Sequence, residues 1–305
     1  MKRINGYFNS LKSIEVEEIL DLIIFRPLAY LLVKVLIRFN ITPNQISISA
    51  IIPGIMSGLF ISTGTDKGFV AGAIFMILSG ILDCADGMVA RMKQNGSKTG
   101  RLVDGAVDYI VSAAIYIGLV FGLLKSSVSL QFPILYSPVL IVIVAALSHS
   151  IHAALTDRFR NLYEAHVYGK NITPEYEFSE YSRELEKIRF EKGKALDRLL
   201  IRGYLKYISL QTKLPENKFI RLDPDLYMKY NKNLVISWNL IGTTTHLSIL
   251  IISLILYKPV IYFYYCLIFA NLWILVLIPF QLRAMKMTSD KAFRTDTDYL
   301  RPGMA

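Results

Sequence analysis

Asp83, Asp86, Asp104 and Asp108 are the residues of this chain best placed to do chemistry, because all four fall in strongly apolar sequence. Asp83 and Asp86 are three residues apart and Asp104 and Asp108 four, so on helices each pair shares one face. Gly96, Ser97 and Gly100 lie between the pairs and suit a helix reversal. Two antiparallel helices would then aim four carboxylates at one spot. Carboxylates at membrane depth are costly and are kept for function or in partnership with cations. Hard divalent ions with oxygen ligands meet that need, Mg²⁺ first and Mn²⁺ second. Two such ions can clamp a pyrophosphate and stabilise an in-line displacement. Gly87 lets a nucleotide approach the backbone, Ala90 keeps the same face shallow, and Arg91 offers a bidentate fork to phosphate. The combination implies a nucleotide diphosphate ester handled at a membrane surface. No serine, cysteine or histidine nucleophile that could form a covalent intermediate stands out in this stretch, which favours direct transfer. Cys84 is read as a small packing residue, since a hard-metal site does not select thiolate.

Taken singly, each piece has an ordinary explanation. Asp86-Gly87 could be a turn, Gly100 a point of close helix approach, and Arg91 an interfacial anchor. Four acids together in apolar sequence do not have one.

The positioning elements follow from composition. The chain has 305 residues, 53% of them hydrophobic. Six apolar runs reach the ~20 residues needed to cross a bilayer, at about 46–64, 69–92, 102–124, 134–155, 234–257 and 259–281. The expected fold is therefore all-α and integral to the membrane. The polar start up to Ser13 argues against a cleavable signal peptide. Net charge is +10, but with both termini cytoplasmic the outer loops hold only Lys67, Lys125 and Lys258. That asymmetry follows the positive-inside rule, adds attraction to anionic membrane lipids, and excludes nucleic acid as the reason for the charge. It also puts the acid-bearing helix ends on the cytoplasmic side.

The first 43 residues are expected to form a cytoplasmic segment with an interfacial helix. Pro27 would open it, with Leu28, Leu31, Leu32, Val35, Leu36 and Phe39 on one face and Lys34 and Arg38 opposite. Thr42-Pro43 reads as an N-cap and first-turn proline, and Asn44 is placed either to reach a nucleotide or to pack the helix start. Residues 44–156 hold four spans and the acidic motif, 157–233 a charged cytoplasmic insertion, 234–282 two further spans, and 283–305 a tail. The insertion is helix-prone between Ser182 and Arg202, and Gly203, Pro215 and Pro224 divide it. Asn171-Ile172-Thr173 has the form of a glycosylation acceptor, which is idle on a cytoplasmic segment. The histidines show no zinc spacing; His149 and His152 would line a polar cavity or bond between helices.

The run Asp83-x-x-Asp86-Gly87-x-x-Ala90-Arg91, eight residues, Gly100-x-x-x-Asp104-x-x-x-Asp108 resembles the signature of the CDP-alcohol phosphotransferases without departure. Eight residue types at set gaps make the likeness specific. What it implies is a transferase of phospholipid biosynthesis. A CDP-linked alcohol gives its substituted phosphate to a second alcohol and CMP leaves. By the same pattern Asp83, Asp86 and Asp104 would hold metal, and Asp108 would take the acceptor's proton and touch a second ion. Asp83, Gly87, Ala90, Arg91 and Gly100 would contact the nucleotide. Six spans resemble the members that use CDP-diacylglycerol with a small polar acceptor, and the family suggests a homodimer. Arg158, Arg160 and Arg283 would hold an acceptor phosphate, or serve only as topology anchors. Two other readings stay open. One is an aminoalcohol transferase using CDP-choline or CDP-ethanolamine with a lipid alcohol. The other is a divalent-cation transporter, which would not need Gly87, Ala90 and Arg91 at these gaps.

Overall fold

A computed structural model describes residues 7, 10–11, 14–94, 98–126, 137–171, 174–211 and 222–299. The described residues are helical, with no strand among them. Gly96 and Ser97 of the expected reversal, Ile172 and Thr173, and Pro215 lie outside them.

A π-helical turn, Asp21–Phe25, runs directly into α1, Arg26–Leu36, with Pro27 in its first turn. On the expected apolar face, Leu32 and Leu36 pack partly against the main core. Ala29 and Val33 are buried in the main core beside α3, whereas Leu28, Leu31, Val35 and Phe39 are exposed. Small side chains let α1 lie close to the bundle, and the larger ones remain for lipid.

Helix α2, Pro43–Ile61, begins as its sequence predicts. Thr42 Oγ1 accepts from Gln45 N at 3.3 Å and Gln45 Oε1 accepts from Thr42 N at 2.9 Å, a reciprocal cap over a first-turn proline. Helix α3, Asp66–Lys93, starts at the Thr65 cap and stops at Gln94, whose φ of 52° is left-handed. Helix α4, Lys98–Lys125, returns beside it. Among all helix pairs α2 makes its broadest contacts with α3 and α4. The close fit has a cause. A side chain on Gly58 would strike the Ala114 backbone, and one on Gly118 the Gly58 carbonyl. These belong to two small-residue stripes, Gly54-x-x-x-Gly58 and Gly118-x-x-x-Gly122, which let backbones approach where hydrophobic burial cannot drive helices together.

The remaining long helices are α5, Pro138–Tyr168; α8, Pro224–Trp238, continuing through a 3₁₀ turn into α9, Thr243–Ile255; and the broken sixth span. That span is α10, Val260–Tyr264, a π turn at Tyr265–Phe269, and α11, Ala270–Tyr299. Six helical stretches are long and apolar enough to cross a membrane. The fourth runs on to Tyr168 and the fifth already starts at Pro224, so the charged region is partly made of protruding span ends. They share a small core of Val16, Tyr163, Val167, Tyr227 and Val235. Between them α6, Pro174–Lys187, and α7, Ala195–Gln211, bury Tyr181, Ile188, Ile201 and Ile208 against Leu102 at the start of α4.

Gly118→Leu should therefore lower stability by about 1–3 kcal/mol through overpacking. Gly203→Ala, on α7 with open space around its Cβ position, should stabilise slightly. Melting of both variants in detergent checks this; equal melting temperatures would contradict the close-packed crossing.

Candidate active site

The two acid pairs arrive from opposite helix ends. Asp83 and Asp86 sit in the last turns of α3, and Asp104 and Asp108 in the first turns of α4. Carboxylate oxygens of Asp83, Asp104 and Asp108 all lie within 4.8 Å of one another. Like charges so close, at membrane depth, fit a hard divalent cation far better than they fit isolation. Asp86 is one turn along and buried, and its carboxylate accepts a hydrogen bond from Ser47 of α2.

Two hollows meet at these acids. The smaller, about 90 Å³, is lined by Asn44, Ser47, Asp86, Gly87, Ala90, Gly100, Arg101 and Asp104. It gathers the small residues picked out by spacing, and Asn44 joins them. The larger, about 320 Å³, contains Asp83, Asp104 and Asp108 and extends inward to Tyr116, His149, His246 and Tyr262. Asp104 borders both.

Arg91 lines neither hollow. Its Nε donates to the Ser10 carbonyl at 2.5 Å, and its Nη1 lies 3.4 Å from where a Gly87 Cβ would be. Its Nη2 is buried and has no hydrogen-bond partner among the described residues. The three arginines assigned to the acceptor separate. Arg160 borders the larger hollow, whereas Arg158 and Arg283 are exposed and outside its lining. Cys84 is buried in the main core as expected, with its Sγ 3.7 Å from Asp21 Oδ1.

Sequence reasoning missed one whole wall. Glu17, Glu18, Asp21 and Arg26, from the segment leading into α1, line the larger hollow. Arg26 Nη2 pairs with Glu17 Oε2 at 3.0 Å, both buried. Arg160 Nη2 reaches Glu18 Oε1 at 3.4 Å and donates to Asn239 Oδ1 at 2.9 Å. Glu18 Oε2 also accepts from Thr245 N at 2.9 Å, which ties the segment to the start of α9. Burial pushes Glu18 up to about 6 despite its arginine, and raises Asp21 as well.

The tyrosines of the floor were missed too. Tyr116 OH bonds His149 Nδ1 at 2.9 Å and Tyr262 OH at 2.5 Å. Deeper, His152 Nδ1 and His246 Nε2 are 3.1 Å apart, and Asn271 Oδ1 lies 3.4 Å from His152 Nε2. Of the two alternatives for the histidines, His149 takes the first, bordering the hollow, and His152 the second, bonding across helices. His152, His246 and Cys266 also come within metal-ligand range of one another. Those groups already serve one another and the backbone, because Cys266 Sγ donates to the Ala145 carbonyl at 3.4 Å.

Residues 40–173 match the family model described as CDP-alcohol phosphatidyltransferase. The match takes in α2 to α5 and every residue of the acidic motif. No curated protein matches the chain.

Asp104→Asn should weaken Mn²⁺ binding by at least the 10–100-fold, roughly, that follows loss of even an outer partner. Arg283→Gln, remote from the hollow, should leave it unchanged. Calorimetric titration with Mn²⁺ reads both, and equal affinity in Asp104→Asn would remove the cation from this site.

Proposed function

Residues 40–173 belong to the CDP-alcohol phosphatidyltransferase family, whose members transfer substituted phosphate groups, and on that premise we propose that this chain moves a substituted phosphate from CDP-diacylglycerol to a small polar alcohol. One observation carries the reading: Asp104 borders both hollows, so the acids stand between two separate binding spaces. A transfer between two substrates needs that arrangement, and a cation pathway does not.

The nucleotide is assigned to the smaller hollow because Gly87, Ala90 and Gly100 leave backbone uncovered there. Asn44 and Ser47 add polar groups at its edge. The acceptor enters the larger hollow. Asp83, Asp86 and Asp104 would hold the divalent ions, with Asp108 shared. Bound there, Mg²⁺ or Mn²⁺ would neutralise the pyrophosphate and the charge that develops on the leaving phosphate.

Asp108 acts as general base. It is the most exposed of the converging acids and borders the acceptor's space. It takes the hydroxyl proton while the acceptor oxygen forms a bond to the substituted phosphorus. The phosphoanhydride bond to CMP breaks, CMP leaves with the bond's electron pair, and the proton stays on Asp108. Asp108 and the carboxylates opposite must therefore be held still; the glycine crossing fixes α4, which bears Asp104 and Asp108, against α2, and Ser47 of α2 holds Asp86 of α3.

The charge distribution supports a cytoplasmic site: lysine and arginine are scarce in the loops opposite the acid-bearing ends.

Asp108→Asn should lower kcat by about 10²–10⁴ with donor affinity kept. CMP release from CDP-diacylglycerol, with and without chelator, measures it. Turnover above a tenth of the parent's would refute the base role of Asp108, and turnover untouched by excess chelator would refute the metal role of its neighbours. Gly87→Leu should weaken donor binding while expression stays normal; unchanged affinity would put the nucleotide elsewhere.

A further inference from the structure

The charged region between the fourth and fifth spans is divided by sign. Over 174–186, nearly all of α6, five acids stand against one base, Arg183. From Lys187 to Gln211 the balance reverses, with seven bases and two acids, Glu191 and Asp197. The basic half is also where large apolar side chains are left most open. Phe190, in the connection between α6 and α7, is 88% exposed, and Leu199 of α7 is 67% exposed. A single exposed apolar residue is ordinary. Here two fall in one basic stretch, and that stretch leans on the membrane-spanning bundle.

The sides of α7 show how it leans. Ile201 and Ile208 are buried in the small core shared with α6. Leu200 turns elsewhere and packs on Ala50, Val103 and Val107. Val103 and Val107 immediately precede Asp104 and Asp108 on α4, so α7 meets the bundle at the level of the acids. At that level Ile52 of α2 and Tyr109 and Ile110 of α4 are exposed, as a lipid-facing surface requires. At about 100° per residue, Gly203 and Leu199 come next around α7 after Leu200, and Lys206 and Arg202 lie beyond them. Nothing lies within 4 Å of the Cβ position of Gly203. Arg202 and Lys206 are exposed and enter no ion pair among the described residues. An apolar strip that continues the bundle's own surface, bordered by free bases, is the pattern of a helix lying in a bilayer interface.

We propose that the α6–α7 connection and α7 form an anchor for an anionic membrane surface. Phe190 and Leu199 enter the boundary between headgroups and acyl chains in the leaflet at the acid-bearing helix ends. The bases beside them engage anionic headgroups. The acids of α6 oppose such lipid, so α6 stays on the water side. The anchor stands apart from the transferase reading and does not depend on it.

The test uses the full-length chain in nanodiscs of phosphatidylcholine, with and without added phosphatidylglycerol. Both native cysteines are buried, so a spin label attached through Phe190→Cys, Leu199→Cys or Glu186→Cys goes to the new site, and the parent chain takes up little. Collisions of the label with oxygen, which concentrates in lipid, and with a water-soluble nickel chelate report its depth. In anionic discs the labels at positions 190 and 199 should favour oxygen severalfold, and the label at position 186 should favour the chelate. Neutral discs should move the first two toward the chelate, and so should Arg202→Gln combined with Lys206→Gln in anionic discs. Chelate preference at 190 and 199 in anionic discs would overturn the proposal. So would shielding of both from both reagents, which would mean that a second copy of the chain covers them. Equal ratios in the two lipid compositions would remove the role of the bases, and oxygen preference at 186 would remove the division between α6 and α7.

Discussion

Repulsion among carboxylates in a poorly solvated place sets the terms for the rest of this molecule. Two unit charges about 4 Å apart repel by about 4 kcal/mol even at the effective dielectric typical of partly exposed protein sites. Asp83, Asp104 and Asp108 converge within 4.8 Å. The backbone must hold them there against that force. It does so with a crossing in which glycines of α2 and α4 bring main chain against main chain. Close backbone contact leaves α4, which carries Asp104 and Asp108, little slack against α2. Ser47, on the same α2, fixes Asp86 directly.

The N-terminal segment answers a different problem. The hollow beside the acids would be open on one side without it, and its wall is built from buried ion pairs rather than from apolar side chains. Buried pairs contribute little net stability, because desolvation offsets the attraction. They do fix geometry, since breaking one strands a charge. Glu18 alone joins Arg160 of α5 to Thr245 of α9. The segment is thus latched onto two spans at once.

The acidic motif, the Thr42 cap, the six spans and the small residues of the smaller hollow could all be read from local spacing. Each depends on neighbours within a turn or two of helix, which is what periodicity and capping rules report. The glycine stripes at 54–58 and 118–122 were equally local, yet they make sense only once the two helices are paired. Glu17, Glu18 and Asp21 could not be found this way, because acids interspersed with apolar residues outside a span look like the solvated face of an amphipathic helix. Nor could the floor. Tyr116 bonds residues 33 and 146 positions away, and His152 one 94 positions away. Only tertiary packing joins such partners. Arg91 shows the converse: spacing places it correctly on α3, but its reach for Ser10 depends on a segment the motif does not mention.

The shared position of Asp104 has a kinetic meaning. Because it is wall to both hollows, neither substrate has to vacate its space for the other to arrive. On the proposed chemistry both must be present in one ternary complex before any bond changes, and no modified form of the protein exists between two half-reactions. Rate patterns against the two substrates would then intersect rather than run parallel. The spent nucleotide would compete with the donor and not with the acceptor.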